Sequence, residues 1–443
     1  MGRSFENLKG TYDYLPEEQM VREKIKDTLK PIFEKYGFAP IETPIICMYD
    51  LLASKYAEGA DILNEMYKLS DQGKRKLGLR YDLTITFSKL ISSNRNITMP
   101  FKRYEIGRVY RDGPIKLGRN REFTQCDIDM VGVKSVMAEA EYMMMTAEAY
   151  EKLGLDIEIE FNNRKLLSGI IKLVLGEISD DKLRKCIMLI DKFAKLSRKE
   201  LVEEFAKIEV SETEFDKMRE YFSLEYPALK ERLANVEDEQ MQEGLQEIEE
   251  LYGYLEGTDA LACMRFAPYL ARGIDIYTGM VWEVFLKDRK IAGQDFTSSI
   301  GGGGRYDKII TSFVDDGNEY PAVGMSFGLD VIYEVLKLKN ADQKLSTIDL
   351  FIIPFGTEKE SFKLASELRK IGIKVDIEKA SKKLKKSMMY ANKIGVPYVI
   401  VLGEDEIANG KLQLKNMETG ENTEFAINDY EGIRREICFI QNS

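Results

Sequence analysis

Apolar residues recur every three or four positions early in the chain: Val21, Ile25, Leu29, Ile32, Phe33 and Tyr36. That period predicts an amphipathic helix over 17–36, with Gly37 placed to close it. Pro31 lies inside this stretch and is expected to kink the helix or split off its last turn. Pro40 to Ile45 reads as extended. From Phe101 the period drops to two. Residues 101–111 and 123–131 read as strands of an antiparallel hairpin, joined by a long, polar, basic loop over 112–120. A helix follows over 137–153, and about 165–260 is dense in Glu, Lys and Leu at helical spacing, as in an all-helical insertion. Residues 274–285 read as strand, and 293–330 as Gly-rich and then strand-like.

Near 337–347 the chain turns polar and reads as a linker. Beyond it strands at 350–353, 374–377 and 398–402 alternate with helices at 358–371 and 382–394, the pattern of a separate small α/β domain. The expected organisation is a core over 1–336 interrupted by 165–260, then the linker, then a domain over 348–443.

Composition narrows the chemistry. No run approaches the ~20 apolar residues that span a membrane, and Met1 to Glu6 lacks the apolar core of a signal peptide. A cytoplasmic protein without membrane contact is expected. The net charge of −11 argues against coating DNA non-specifically, while a local basic patch is enough for RNA. Cys47, Cys126, Cys186, Cys263 and Cys438 are scattered and never spaced C-x-x-C, so neither a disulfide framework nor a protein-held metal is expected. The 443 residues include no histidine, which excludes Ser-His-Asp and Cys-His mechanisms. Carboxylates, arginines, lysines and substrate groups must do the work.

Alternation along 123–131 puts Cys126, Ile128 and Met130 on one face and Gln125, Asp127 and Asp129 on the other. The expected strand at 274–285 repeats this, with Ile274, Ile276, Met280, Trp282 and Val284 opposite Asp275, Tyr277 and Glu283. Two such strands suggest the floor of a polar pocket, whose carboxylates and amide suit an ammonium or a ring N–H. Arg272, just upstream, suits phosphate or carboxylate oxygens. The run Gly301 to Gly304 is not followed by Lys-Ser/Thr and does not open a βαβ unit, so it is neither a Walker loop nor a Rossmann turn. Gly324, Ser326 and Gly328 leave one strand face nearly bare, as a flat nucleobase would need. Arg111, Arg119 and Arg121 surround the hairpin loop and suit a triphosphate or an RNA end.

Taken together these segments resemble the histidyl-tRNA synthetases, along nearly the whole chain. The run from Lys9 to Pro16 resembles their N-terminal signature, Tyr36 to Pro44 their motif 1, and Leu79 to Thr84 a histidine-site loop. Phe101 to Asp129 resembles motif 2, Gly302 to Asp307 and Pro321 to Gly324 lead into motif 3, and Arg272 to Gly279 resembles a signature peculiar to histidine enzymes. The resemblance implies an α+β class II synthetase core, an antiparallel sheet flanked by helices with a helical insertion, followed by an α/β anticodon-binding domain. It implies ATP, Mg²⁺, L-histidine and tRNA(His) as substrates and cofactor, and a homodimer formed through motif 1. By the same resemblance Asp82, Thr84 and Gln125 hold the α-ammonium, Asp129 and Tyr277 face the imidazole, and Tyr306 closes the pocket. Arg111 binds the α-phosphate, Arg121 lies near the nucleotide with Gly324, Ser326 and Gly328, and Arg272 bridges α-phosphate and substrate carboxylate. Lys116 and Arg119 meet the tRNA acceptor end, and Lys382, Lys383, Lys385 and Lys386 an anticodon surface.

There are departures. The family's motif 3 acidic–arginine pair is Asp330-Val331 here, and its acidic residue two places after the motif 2 arginine is Gly113, next to Asp112. The other reading is a non-catalytic relative, a tRNA sensor or a regulatory partner of ATP phosphoribosyltransferase. Such relatives usually lack the last domain and the specific arginine, and this chain keeps both.

Overall fold

The first helix, α1 (Pro16–Lys35), buries Ile25, Leu29, Ile32 and Phe33 on one stripe. It runs unbroken through Pro31, contrary to the expected split. Pro31 is on the exposed face, where water satisfies the carbonyl that proline leaves unpaired one turn back. The helix stops at Gly37, whose φ of 81° lets Phe38 N–H reach back to the Phe33 carbonyl at 3.0 Å.

The computed structural model describes residues 5–54, 61–115, 118, 120–193, 196–272, 276–339, 346–380 and 383–441. They fall into two compact units, Met1–Asp13 with Arg22–Lys339 and Tyr14–Val21 with Asn340–Ser443.

An eight-stranded sheet is the centre of the first unit. Its strands are β1 (Ala39–Pro40), β2 (Phe101–Tyr110), β3 (Glu122–Val131), β4 (Ile157–Asn163), β5 (Met264–Phe266), β6 (Met280–Leu286), β7 (Gly301–Arg305) and β8 (Ala322–Gly328). In space they run β1-β2-β3-β8-β7-β6-β4-β5. Only the two outer pairs, β1·β2 and β4·β5, are parallel. The β2–β3 hairpin is present as expected, in a register that sets Arg103 opposite Asp129 and Glu105 opposite Asp127. The glycine run forms β7, an inner strand paired on both sides.

Helices α2 (Thr84–Ser93) and α3 (Met137–Lys152) pack with α1 around this sheet. Trp282 on β6 is fully buried against Tyr142 of α3, ring centroids 5.8 Å apart. A run of helices follows β4, from Arg164–Leu175 to Glu239–Leu255, where helical spacing placed them. Two of these begin with reciprocal Ser–Glu caps, Ser197 with Glu200 and Ser211 with Glu214.

One expected strand is shorter. Pairing begins at Met280, and Ile276 to Gly279 are loop, while Gly273, Ile274 and Asp275 lie outside the described residues. Thr278 explains the difference: its N–H goes to the Arg305 carbonyl (2.8 Å) and its hydroxyl to Asp307 (3.2 Å), so the segment is tied across the end of β7. Lys337 and Lys339, the expected start of the linker, belong instead to the helix Leu329–Lys339.

The second unit carries a five-stranded sheet, ordered Val375–Ile377, Leu350–Phe355, Tyr398–Gly403, Lys411–Asn416, Asn422–Ala426. The first three are parallel, as the alternating pattern implied; the last two are an antiparallel hairpin. That hairpin and the closing helix Tyr430–Gln441 lie within the expected domain but were not read as elements, and Leu412, Leu414 and Ile433 join its core beside Ile352 and Ile400.

Candidate active site

A cleft of about 330 Å³ opens over the face of β3, β8, β7 and β6. Gln125, Asp127 and Asp129 project into it, while Cys126, Ile128 and Met130 are buried behind, as alternation required. Arg111, Arg272, Asp82, Thr84, Tyr277, Tyr306, Gly324, Ser326 and Gly328 line the same cleft. Arg121 does not line it. Its guanidinium pairs with Asp112 at 3.2 Å, and its backbone N–H goes to the Gly10 carbonyl at 2.9 Å. Lys116, Arg119 and Lys382 lie outside the described residues.

The deep end is built around a buried cation, Arg103 on β2. Its Nη2 stands 2.5 Å from Asp129 Oδ2, in an ion pair whose N–H bonds are poorly aimed, and its guanidinium lies 4.4 Å from the Phe87 ring centre. Tyr306 donates its hydroxyl to Asp129 Oδ1. Both oxygens of Asp129 are thus engaged. Burial raises the Asp129 carboxyl against the pull of Arg103, and burial pushes Asp127 up to about 7. Burial, with Asp129 beside it, also keeps the Tyr306 phenol neutral. Gly324 is required here: a Cβ on it would fall 2.1 Å from Asp129 Oδ1. The bare face expected to admit a nucleobase is filled at Gly324 by Asp129 and Tyr306, and at Gly328 the Val331 side chain and the Ile300 carbonyl stand at van der Waals distance, 3.5 Å from a Cβ position.

Asp82 accepts from the Ile85 N–H at 3.1 Å, which fixes it at the start of α2. Its loop hangs on Arg80, a buried arginine that spans Glu105 (2.7 Å), the Thr43 carbonyl (2.6 Å) and the Arg108 carbonyl (2.9 Å). Gln125 donates to the Ser326 hydroxyl at 3.0 Å.

The two arginines are held differently. Arg111 lies between the rings of Tyr81 and Phe123, at 5.4 and 5.0 Å, with Nε 3.2 Å from the Tyr81 carbonyl. Arg272 reaches the Trp282 carbonyl (3.2 Å) and Glu283 (3.7 Å) and lies over Tyr277. Burial alone would lower its pKa, but Tyr277 and Glu283 outweigh it and the net shift is upward, so Arg272 stays charged. A Cβ on Gly302 would fall 2.2 Å from its Nη1, so the glycine run makes the bed for this side chain.

Asp330 and Val331 take different tasks. Asp330 pairs with Arg22 of α1 (2.7 Å) and accepts from the Thr124 N–H (2.7 Å), joining α1 to β3. Val331 lines the cleft between Gly328 and Gly118. Sequence reasoning passed over Arg103 and Arg80, whereas Glu283, read on the polar face with Tyr277, does line the cleft. The first had a signal: once the hairpin register is drawn, Arg103 falls opposite Asp129.

The arrangement sets acceptors for a cation along β3 and, in the same cleft, two arginines for anions, Arg111 and Arg272. Among known proteins, the family model "Histidyl-tRNA synthetase" matches residues 10–332 and "Anticodon binding domain" matches 349–435. "Histidine--tRNA ligase 1" of Bacillus cereus is 48% identical over 94% of this chain and 96% of its own length. A crystal structure of histidyl-tRNA synthetase from Nostoc sp. PCC 7120 superposes with a TM-score of 0.84 at 28% identity, covering 98% of this chain and 100% of its own. An ATP phosphoribosyltransferase regulatory subunit/histidyl-tRNA synthetase from Bacillus halodurans C shares the fold, with a TM-score of 0.74 at 21% identity over 91% of this chain and 100% of its own.

Proposed function

Since the chain belongs to the histidyl-tRNA synthetase family, we propose that its cleft joins L-histidine to ATP at Arg111 and Arg272, then passes the histidyl group to tRNA(His). The supporting observation is one cleft that holds a carboxylate–amide row along β3 together with two arginines, Arg111 and Arg272. The substrate carboxylate is already a nucleophile, so no general base is needed. It attacks the α-phosphorus in line, a P–O bond forms, and pyrophosphate leaves. Arg272 and Arg111 offset the charge where two anions meet. In the second step the ribose hydroxyl of the tRNA end attacks the carbonyl, and AMP leaves. A chain without histidine is equal to both steps.

In this reading Asp82, Thr84 and Gln125 hold the α-ammonium, and Asp129, Tyr277 and Tyr306 surround the imidazole. Ser326 and Gly328 lie under the nucleotide. Mg²⁺ would supply charge neutralisation on the bound triphosphate, held chiefly by phosphate oxygens and water, since the described residues offer no carboxylate cluster to cage it. In this reading the catalytic core runs to the end of the helix at Lys339 and surrounds 165–260, the linker follows that helix, and 348–443 serves the anticodon. A homodimer is supported by the exposed apolar side chains of Ile45, Ile46 and Met48 beside motif 1. Five free cysteines suit a reducing cytoplasm.

Purified protein is expected to exchange labelled pyrophosphate into ATP with histidine and with no other amino acid. Absence of exchange from a folded protein would sink this reading. For tRNA, Lys383, Lys385 and Lys386 are exposed at the start of the helix Leu384–Lys393. Replacing them and Lys382 by Gln should lower the log–log salt slope of tRNA binding by about 3. An unchanged slope would remove them from the RNA interface.

A further inference from the structure

Two acceptors in the cleft have nothing to accept from among the described residues. Gln125 Oε1 and Asp127 Oδ1 are buried and lack a hydrogen-bond partner there. They sit two residues apart on the cleft face of β3. Asp127 is 5% exposed, and its register partner across β8 is Ser326. Leaving such groups empty is costly, more so for an ionised one.

The neighbouring charges limit what satisfies them. Arg103 is engaged with Asp129, whose second oxygen takes the Tyr306 hydroxyl. Asp129 is therefore committed from both sides, whereas Asp127 keeps one oxygen for a ligand. Its position is midway between Asp129 at the deep end and Gln125 at the end toward Arg111. A ring N–H would satisfy one acceptor and leave the charge. An ammonium carries three donors and a positive charge, so it satisfies both acceptors and neutralises the carboxylate.

We propose that Asp127 is a specificity-determining residue that receives the α-ammonium of the amino acid together with Gln125. This rests on the reading of the cleft as the histidine site. Resemblance gave the α-ammonium to Asp82, Thr84 and Gln125, and Asp127 adds to that set a buried carboxyl in the middle of the pocket. It selects for a free amine and disfavours an amine-less carboxylate, which would meet it as a like charge.

The test is equilibrium binding to the full-length protein, by titration calorimetry, with three probes. L-Histidine carries amine and carboxylate, L-histidinol only the amine, and imidazole-4-propionate only the carboxylate. Asp127→Asn is expected to weaken histidine and histidinol by about 30-fold or more, the effect of removing one partner of a buried ion pair. Binding of imidazole-4-propionate should hold or tighten, which also shows that the pocket is still formed. Asp127→Ala, which cannot offer an amide oxygen, should move the three probes the same way and further. Equal weakening of all three, or no change in any, overturns the assignment. Failure of wild-type protein to bind histidine or histidinol would instead remove the histidine-site reading, and this inference with it.

Discussion

Arg272→Ala is expected to lower kcat for histidine-dependent pyrophosphate exchange by about two to three orders of magnitude, the usual cost of losing one donor that meets developing charge. The KM for histidine should change far less, because the amine and ring are held elsewhere. The reacting carboxylate and α-phosphate repel each other, and Arg272 is fixed before they arrive. The Trp282 carbonyl, Glu283 and the Tyr277 ring hold it, so little reorganisation is left for the reaction. Lysine should not restore the rate, since its ammonium lacks the planar fork of fixed donors and the stacking on Tyr277 that aim the guanidinium. Gly302→Ala offers a milder version. Its new methyl would stand 2.2 Å from Nη1 and 2.8 Å from the Trp282 carbonyl, so it would push the guanidinium aside and press on β6 while keeping the charge, and a melt of this variant must accompany its kinetics. A fall in kcat there, with Arg272 intact, would show that position and not charge alone matters. If Arg272→Ala keeps kcat within about fivefold, the bridging role is wrong.

The position of Arg272 also shows where the sequence was legible. Period-two alternation gave the β2–β3 hairpin and the cleft-facing row Gln125, Asp127 and Asp129, because burial of Cys126, Ile128 and Met130 fixes the register. The same logic overreached after Arg272. Alternation around Ile276 and Tyr277 reads as strand, yet Thr278 binds across to Arg305 and Asp307, and both Ile276 and Tyr277 line the cleft. A long-range hydrogen bond of that kind leaves no local pattern. Pro31 misled in a similar way, since whether a helix survives a proline depends on which face meets water.

The glycines show a further limit. Counting those between 301 and 304 says nothing of why they are bare: Arg272 occupies the Cβ position of Gly302, the Gly324 carbonyl that of Gly303 and Tyr277 that of Gly304. Motif 3 separates similarly. The acidic residue Asp330 ties Arg22 to β3, and Val331 closes the space between Gly118 and Gly328 with carbon. In the proposed function the positive charge for the triphosphate therefore has to come from elsewhere than position 331. The fold is shared with a regulatory relative at 21% identity, so fold alone does not separate catalyst from regulator. That distinction falls to the residues of the cleft.

Arg103→Leu should be the most damaging change to the folded state. Arg103 is fully buried, and Asp129, Asp127 and Glu105 all draw on its charge. Leucine fits the apolar contact with Phe87 but leaves Asp127 and Asp129 without a cation between them. Removing one partner of a buried pair typically costs about 3–5 kcal/mol. The penalty has a pH signature. Burial already lifts Asp127 to about 7 in the native protein, above the ~3.9 of an exposed aspartate. A folded state that keeps protons which the unfolded chain has lost is destabilised as pH rises through that window. Without Arg103 both carboxyls should rise further, so the window widens upward. Arg103→Leu is thus expected to melt closest to wild type near pH 5 and progressively lower toward pH 8, while histidine binding is lost throughout. Thermal melts of the two proteins across that range decide it. A deficit that is constant with pH would assign the loss to packing against Phe87 and acquit the carboxylates.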